Sequence, residues 1–127
     1  MENFDVLGKK VLWEEISSLK KLYDRFEGIE FSKVVQLILN HRGKVVFTGI
    51  GKSGYIAQKL SSTFNSTGTR SVFLHPSEAL HGDLGIYSYG DPTIFLSRSG
   101  STQELLNLLP VIKQFDSPVV AMVCNIS

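Results

Sequence analysis

The sequence predicts an α/β fold with a mostly parallel sheet, and three observations carry that expectation. Hydrophobic periodicity is helical over the first forty or so residues and then gives way to short continuous apolar runs. Those runs are β-branched or aromatic and are bounded by glycines or polar turns. Their order, strand, helix, strand, loop, strand, helix, strand, is the pattern from which parallel sheets with right-handed crossovers are built.

Leu12, Ile16, Leu19, Tyr23 and Phe26 recur at steps of four and three, which predicts an amphipathic helix over about 9–26 that stops near Gly28. Ser32 is suited to cap a second helix carrying Val34, Val35, Leu37, Ile38 and Leu39, which ends near Asn40-His41-Arg42-Gly43, where basic side chains suit the carbonyl end. Val45-Val46-Phe47 reads as a central strand covered on both faces. Ser53 to Asn65 carries Ile56, Ala57, Leu60 and Phe64 at helical spacing and is closed by Ser66-Thr67-Gly68. Ser71 to Leu74, Thr93 to Leu96 and Val119 to Cys124 are three further strands, and Leu105, Leu108, Leu109 and Ile112 mark one helical face between the last two. The chain stops soon after the fourth strand, so nothing that follows is expected to cover it.

With 127 residues, 43% of them hydrophobic and 20% charged, the chain has the balance of one packed core. Thirteen Lys and Arg against twelve Asp and Glu leave a net charge of +1, which argues against nucleic acid or an anionic membrane surface as a partner. An acidic ligand would have to be held locally. No apolar run approaches the length of a membrane span, the N-terminus lacks a secretory pattern, and the lone Cys124 can form no internal disulfide, so the expected compartment is the cytoplasm.

In open parallel sheets the ligand crevice lies at the carboxyl ends of the strands, and three segments with chemistry fall there. The first strand runs into Gly49-Ile50-Gly51-Lys52-Ser53-Gly54, which satisfies G-x-G-x-x-G in its strand-turn-helix context. A dinucleotide site would also need an acid about 20 residues on, but the chain has Leu74-His75-Pro76 there; a Walker A loop would need glycine where Val46 stands. Two readings remain open, a tight turn with a solvated Lys52, or an ammonium at a glycine-lined helix start that meets a phosphate or an enediolate. Ser97-Arg98-Ser99-Gly100-Ser101-Thr102-Gln103-Glu104 crowds four hydroxyls onto one strand-to-helix turn. Hydroxyls and free amides there form a neutral phosphate cradle; the alternative is one N-cap with solubilising neighbours, with Ser101 and Glu104 closing a capping box. The third segment, His75-Pro76-Ser77-Glu78-Ala79-Leu80-His81-Gly82-Asp83-Leu84-Gly85, is a polar loop. Its imidazoles and carboxylates match no tight zinc spacing and suit acid–base or positioning work by His81 better, a buried structural histidine being the plainer reading.

Together these three segments resemble the sugar isomerase (SIS) domain, and within it the D-arabinose 5-phosphate isomerases, over about residues 9–127. The serine-rich turn is common to SIS proteins, whereas Gly-Lys-Ser-Gly followed by His-Pro-x-Glu-Ala-x-His-Gly-Asp-Leu-Gly is much narrower. The resemblance implies a three-layer αβα sandwich of flavodoxin-like type: one SIS domain over 1–127, with leading helices over about 9–42 and an α/β core over about 44–127. It implies an aldose-ketose isomerase that interconverts D-ribulose 5-phosphate and D-arabinose 5-phosphate on the way to Kdo and lipopolysaccharide, without metal or organic cofactor. Its partners would be the pentose phosphate and other copies of itself, as a dimer or tetramer. Position by position it implies catalytic roles for Lys52, His81 and Glu104. Gly51, Ser53, Ser97, Ser99, Gly100 and Thr102 would bind the phosphate, and His75, Glu78 and Asp83 would belong to the substrate loop.

The chain departs from that pattern in two places. The usual Ser-Asn-Ser-Gly-Glu stands here as Ser97-Arg98-Ser99-Gly100-Ser101. Family members also continue with a fifth strand, a further helix, a second catalytic glutamate, a histidine in Ser-His-Pro-Gly and usually two CBS domains, so the expectation is a fragment or shortened form of such an enzyme. The alternative function is a non-catalytic SIS module that binds a sugar phosphate and regulates a partner.

Overall fold

The computed structural model describes residues 3–28 and 30–124. The chain divides into two compact units, one up to Lys33 and one from Val34 onward.

In the first unit, helix α1 spans Phe4–Asp24 and is followed by a short 3-10 turn, Phe26–Gly28. The helix begins five residues before the apolar periodicity suggested, because the Asn3 side chain accepts from the Asp5 N–H, which would otherwise be orphaned, and shares the Val6 N–H with the Asn3 carbonyl. Helix α2 spans Phe31–Asn40, so its first turn belongs to this unit and the rest, from Val34, to the second. Ser32 therefore lies inside it rather than capping it, and the Phe26 and Phe31 rings stand 5.3 Å apart at the entry.

The second unit carries four strands, β1 (Val45–Gly49), β2 (Ser71–Phe73), β3 (Thr93–Ser97) and β4 (Val119–Val123), all parallel and ordered β2-β1-β3-β4. Every residue of β1 and β3 is buried, which is why their sequences are apolar without alternation. Helix α3 (Lys52–Ser66) lies on one face, where Val45, Phe47, Ala57, Ile94 and Leu96 form a core joined by Leu60 and Phe64. The Phe64 ring meets Phe47 edge-on at 4.9 Å. Helices α4 (Pro76–Leu80) and α5 (Gln103–Ile112) lie on the other face, where Ala79 of α4 and Leu105, Leu108 and Ile112 of α5 form a core with Val46, Leu74 and Phe95. The expected three-layer sandwich is thus present. Helix α4 falls in what the sequence reads as irregular loop; five residues are too few to show a period, but Pro76 at its first turn is a start signal. Strand β4 is the outer strand of the sheet among the described residues, with Val119 and Met122 exposed.

One buried charge ties the amino ends of the central strands together. Asp91, fully buried just before β3, accepts from the Lys44 ammonium at 2.6 Å, from the N–H groups of Ser88 and Lys44 at 2.8 and 3.2 Å, and pairs with His41 Nε2 at 3.0 Å. Burial alone pushes this carboxyl up, but the Lys44 ammonium, the two N–H donors and His41 outweigh it and hold the group below the usual carboxylate range. A carboxyl with a depressed folded value stabilises the fold above about pH 4, and that contribution disappears as pH falls through the folded value. Asp91→Asn is expected to lower the urea midpoint at neutral pH and to flatten its decline below about pH 4; an acid limb as steep as that of the unaltered protein would refute the assignment. Beside this cluster, the Tyr87 hydroxyl joins a buried chain of hydroxyls through Thr93 to Ser117, and burial pushes its phenol up to about 12.

Candidate anion-binding site

The strand order reverses between β1 and β3. The chain leaves β1 for β2 on one side and then returns to pair β3 on the other, and this switch point is where an open parallel sheet leaves a crevice beyond the carboxyl ends of its strands. A cavity of about 540 Å3 opens there. It is lined by Ile50 and Ser53 from the turn after β1, by Arg98, Ser99 and Thr102 from the turn after β3, and by Cys124 after β4.

Tight backbone geometry builds each turn. Gly51, the N-cap residue of α3, sits at φ 60° and ψ −129°, a region that a residue with a Cβ occupies only under strain. Three residues on, Gly54 packs against the end of β1 so closely that an added Cβ would lie 2.7 Å from the Gly49 carbonyl oxygen. In the second turn Gly100 has φ 75° and donates its N–H to Ser97 Oγ at 3.0 Å. Ser97 Oγ also pairs with Thr102 Oγ1 at 3.1 Å, and Ser99 Oγ accepts from the Ser101 N–H at 3.2 Å. The hydroxyls therefore first fold the turn around themselves.

The Ser101–Glu104 capping box, the alternative reading of this turn, does not form. Thr102 is the N-cap residue of α5 and makes no side-chain capping bond, because its hydroxyl is turned to Ser97, and the Ser101 N–H donates backward to Ser99. Helix α3 likewise has no side-chain cap. Both helix starts thus present first-turn N–H groups that no side chain has claimed, and with them the positive ends of two helix dipoles, beside one cavity. Such an end is a ready seat for phosphate.

Of the residues singled out by sequence, Ser53, Ser99 and Thr102 line the cavity, and Ser97 lies buried in the turn that forms its wall. Lys52 and Glu104 are exposed in the first turns of α3 and α5, the two helices that border it. The third segment follows β2. His75 is the N-cap residue of α4, its Nδ1 accepting from the Ser77 N–H at 3.3 Å, which leaves Nε2 as the protonated nitrogen of the neutral ring. Glu78, His81 and Asp83 are exposed, and among the described residues their side chains make no hydrogen bond or ion pair. No group of three or more His, Cys, Asp or Glu stands close enough to hold a metal ion, again among the described residues. Sequence reasoning placed neither Ile50 nor Cys124 at the site. Cys124 was legible only as a thiol in a strand, though its place just past the carboxyl end of β4 is the signal that could have found it.

An all-parallel αβα sandwich with two uncapped helix starts and the hydroxyl-bearing Ser53, Ser99 and Thr102 at its switch point is an α/β domain whose crevice offers the donors that an anion requires. The SIS domain profile matches residues 38–126, and the chain belongs to the SIS domain family. Arabinose 5-phosphate isomerase KpsF of Escherichia coli is 40% identical over 117 residues, which are 92% of this chain and 36% of that protein. Arabinose 5-phosphate isomerase KdsD of Francisella tularensis is 45% identical over 114 residues, 87% of this chain and 35% of that protein. Among solved structures, the E. coli CFT073 protein c3406 in complex with arabinose 5-phosphate superposes with a TM-score of 0.87 at 40% identity, covering 97% of this chain and 66% of that one. The chain spans little more than a third of the length of the curated relatives it matches.

Proposed function

We propose that the cavity between the β1 and β3 turns holds the phosphate of a pentose phosphate, and that the protein serves the interconversion of D-ribulose 5-phosphate and D-arabinose 5-phosphate. The observation that carries this reading is the pair of uncapped helix starts sharing one hydroxyl-lined cavity. The relatives named arabinose 5-phosphate isomerase and the similar structure with arabinose 5-phosphate bound supply the sugar. In this reading Gly51, Ser53, Ser97, Ser99, Gly100 and Thr102 bind the phosphate. Lys52 stabilises the enediolate formed as a proton moves between C1 and C2, while His81 and Glu104 serve as acid–base groups. His75, Glu78 and Asp83 shape the loop that faces the sugar. The same reading extends to a step toward Kdo and lipopolysaccharide, a cytoplasmic setting, and a homo-oligomer in which the α1 stripe of Leu12, Ile16 and Leu19, none of it buried, packs on a neighbour. Among the described residues no helix is long and apolar enough to cross a membrane.

The test is calorimetric titration with D-arabinose 5-phosphate together with proton NMR in deuterated water. Binding, and exchange at C2, are expected, and Ser97→Ala combined with Ser99→Ala is expected to weaken binding at least tenfold, since two hydroxyls of the cradle are worth about 1 kcal/mol each. Absence of binding overturns the reading. Binding without exchange transfers the assignment to a non-catalytic sugar-phosphate module.

A further inference from the structure

The cradle formed by the two turns is built from neutral donors, hydroxyls and amides, and among the described residues that line the cavity Arg98 is the one with a cationic side chain. Arg98 lies directly after β3, one residue before the cavity-lining Ser99. Its backbone carbonyl accepts from the Cys124 N–H at 3.2 Å, which fastens this residue to the end of β4. The side chain is exposed, and among the described residues no carboxylate lies within ion-pair distance of it. A guanidinium at the wall of an anion cavity, not neutralised by a protein carboxylate, is suited to bidentate pairing with phosphate oxygens.

We infer that Arg98 makes the cavity charge-selective: it recognises the dianion of a phosphate monoester and discriminates against uncharged sugars and singly charged acids of similar size. The inference rests on the phosphate-cradle reading above and adds to it the origin of ligand discrimination. Neutral donors accept any oxygen-rich group that fits, whereas a guanidinium strengthens its interaction with each added unit of ligand charge. Because the arginine is exposed, its contribution is screened by salt, over a distance of about 10 Å at 0.1 M ionic strength. The hydroxyl and amide contribution is short-ranged and much less sensitive to salt.

Cys124 supplies the readout, since it is exposed and lines the same cavity. The rate of its alkylation by N-ethylmaleimide, an uncharged reagent, is measured on the purified protein against rising inorganic phosphate at two salt concentrations. Phosphate is expected to protect the thiol, and the concentration needed is expected to rise severalfold between low and moderate salt. Arg98→Gln is expected to raise it about tenfold at low salt, the scale of one charge-assisted hydrogen-bonding partner, and to remove most of its salt dependence. Arg98→Lys should recover the salt dependence and part of the affinity. Protection that is equal and equally salt-dependent in Arg98→Gln overturns the role of Arg98 while leaving the cradle in place. Absence of protection by phosphate in the unaltered protein overturns the cradle reading, and this inference with it. Arg98 is exposed, so its substitution leaves the fold intact, which a matching urea midpoint verifies.

Discussion

Lys52→Ala is expected to lower the rate of hydrogen exchange at C2 of the pentose phosphate by at least about a hundredfold, the cost of removing one donor to a developing oxyanion. The ammonium sits in the first turn of α3, two residues after the cavity-lining Ile50 and beside the cavity-lining Ser53, and among the described residues no carboxylate neutralises it. Its charge is therefore available to an oxygen that becomes negative only as the proton leaves carbon. A group used in this way affects kcat far more than binding. Calorimetric affinity for D-arabinose 5-phosphate should change by less than about threefold while exchange falls, and Lys52→Arg should return part of the rate because it returns the charge. An unchanged exchange rate in Lys52→Ala would remove this residue from the mechanism, and a parallel loss of affinity would make it a phosphate ligand instead.

Gly54→Ala is expected to destabilise the fold by about 2–3 kcal/mol, the upper part of the range for overpacking. The added methyl would meet the Gly49 carbonyl oxygen at 2.7 Å and the Gly49 carbonyl carbon at 3.3 Å. Both are backbone atoms at the end of the buried central strand, so no rotamer change relieves the clash. The conflict resolves only if α3 lifts from β1, which carries Ser53 away from the cavity. A lowered urea midpoint together with weakened phosphate binding should result. Gly51→Ala is the contrasting case: open space surrounds its Cβ position, and the cost is backbone strain at φ 60°, of order 1–2 kcal/mol. Gly54→Ala with unaltered stability would mean that the contact between helix and strand is looser than described.

The reasons for these effects differ in how far they are legible before folding. A glycine at position 54 is visible as part of a spaced motif, and the motif alone is satisfied by a nucleotide loop as well as by a sugar-phosphate turn. The steric contact with Gly49 exists only once β1 and α3 have packed. The Ser97–Thr102 hydroxyls are equally visible, but their sequence suits a capping box, and only the folded turn commits Thr102 to Ser97 and leaves α5 uncapped. Arg98 is only a departure within a motif until the end of β4 comes beside it. Helix α4 is hidden because five residues hold little more than one turn.

The sequence by itself determined the local periods. The short apolar runs at Val45–Phe47 and Ile94–Leu96, bounded by turn signals and rich in β-branched and aromatic residues, suit strands buried on both faces, and the helical stripes between them suit crossovers that cover a sheet. Tertiary structure decided which ends meet. Strand order is set by long-range packing and backbone pairing between residues distant along the chain, and the reversal between β1 and β3 brings turns about fifty residues apart to one cavity. Buried charge was settled at the same level. Asp91 is one more turn residue between Gly90 and Pro92 until Lys44 and His41 reach it from across the fold, since a carboxylate can lie inside a protein only where its partners converge on it.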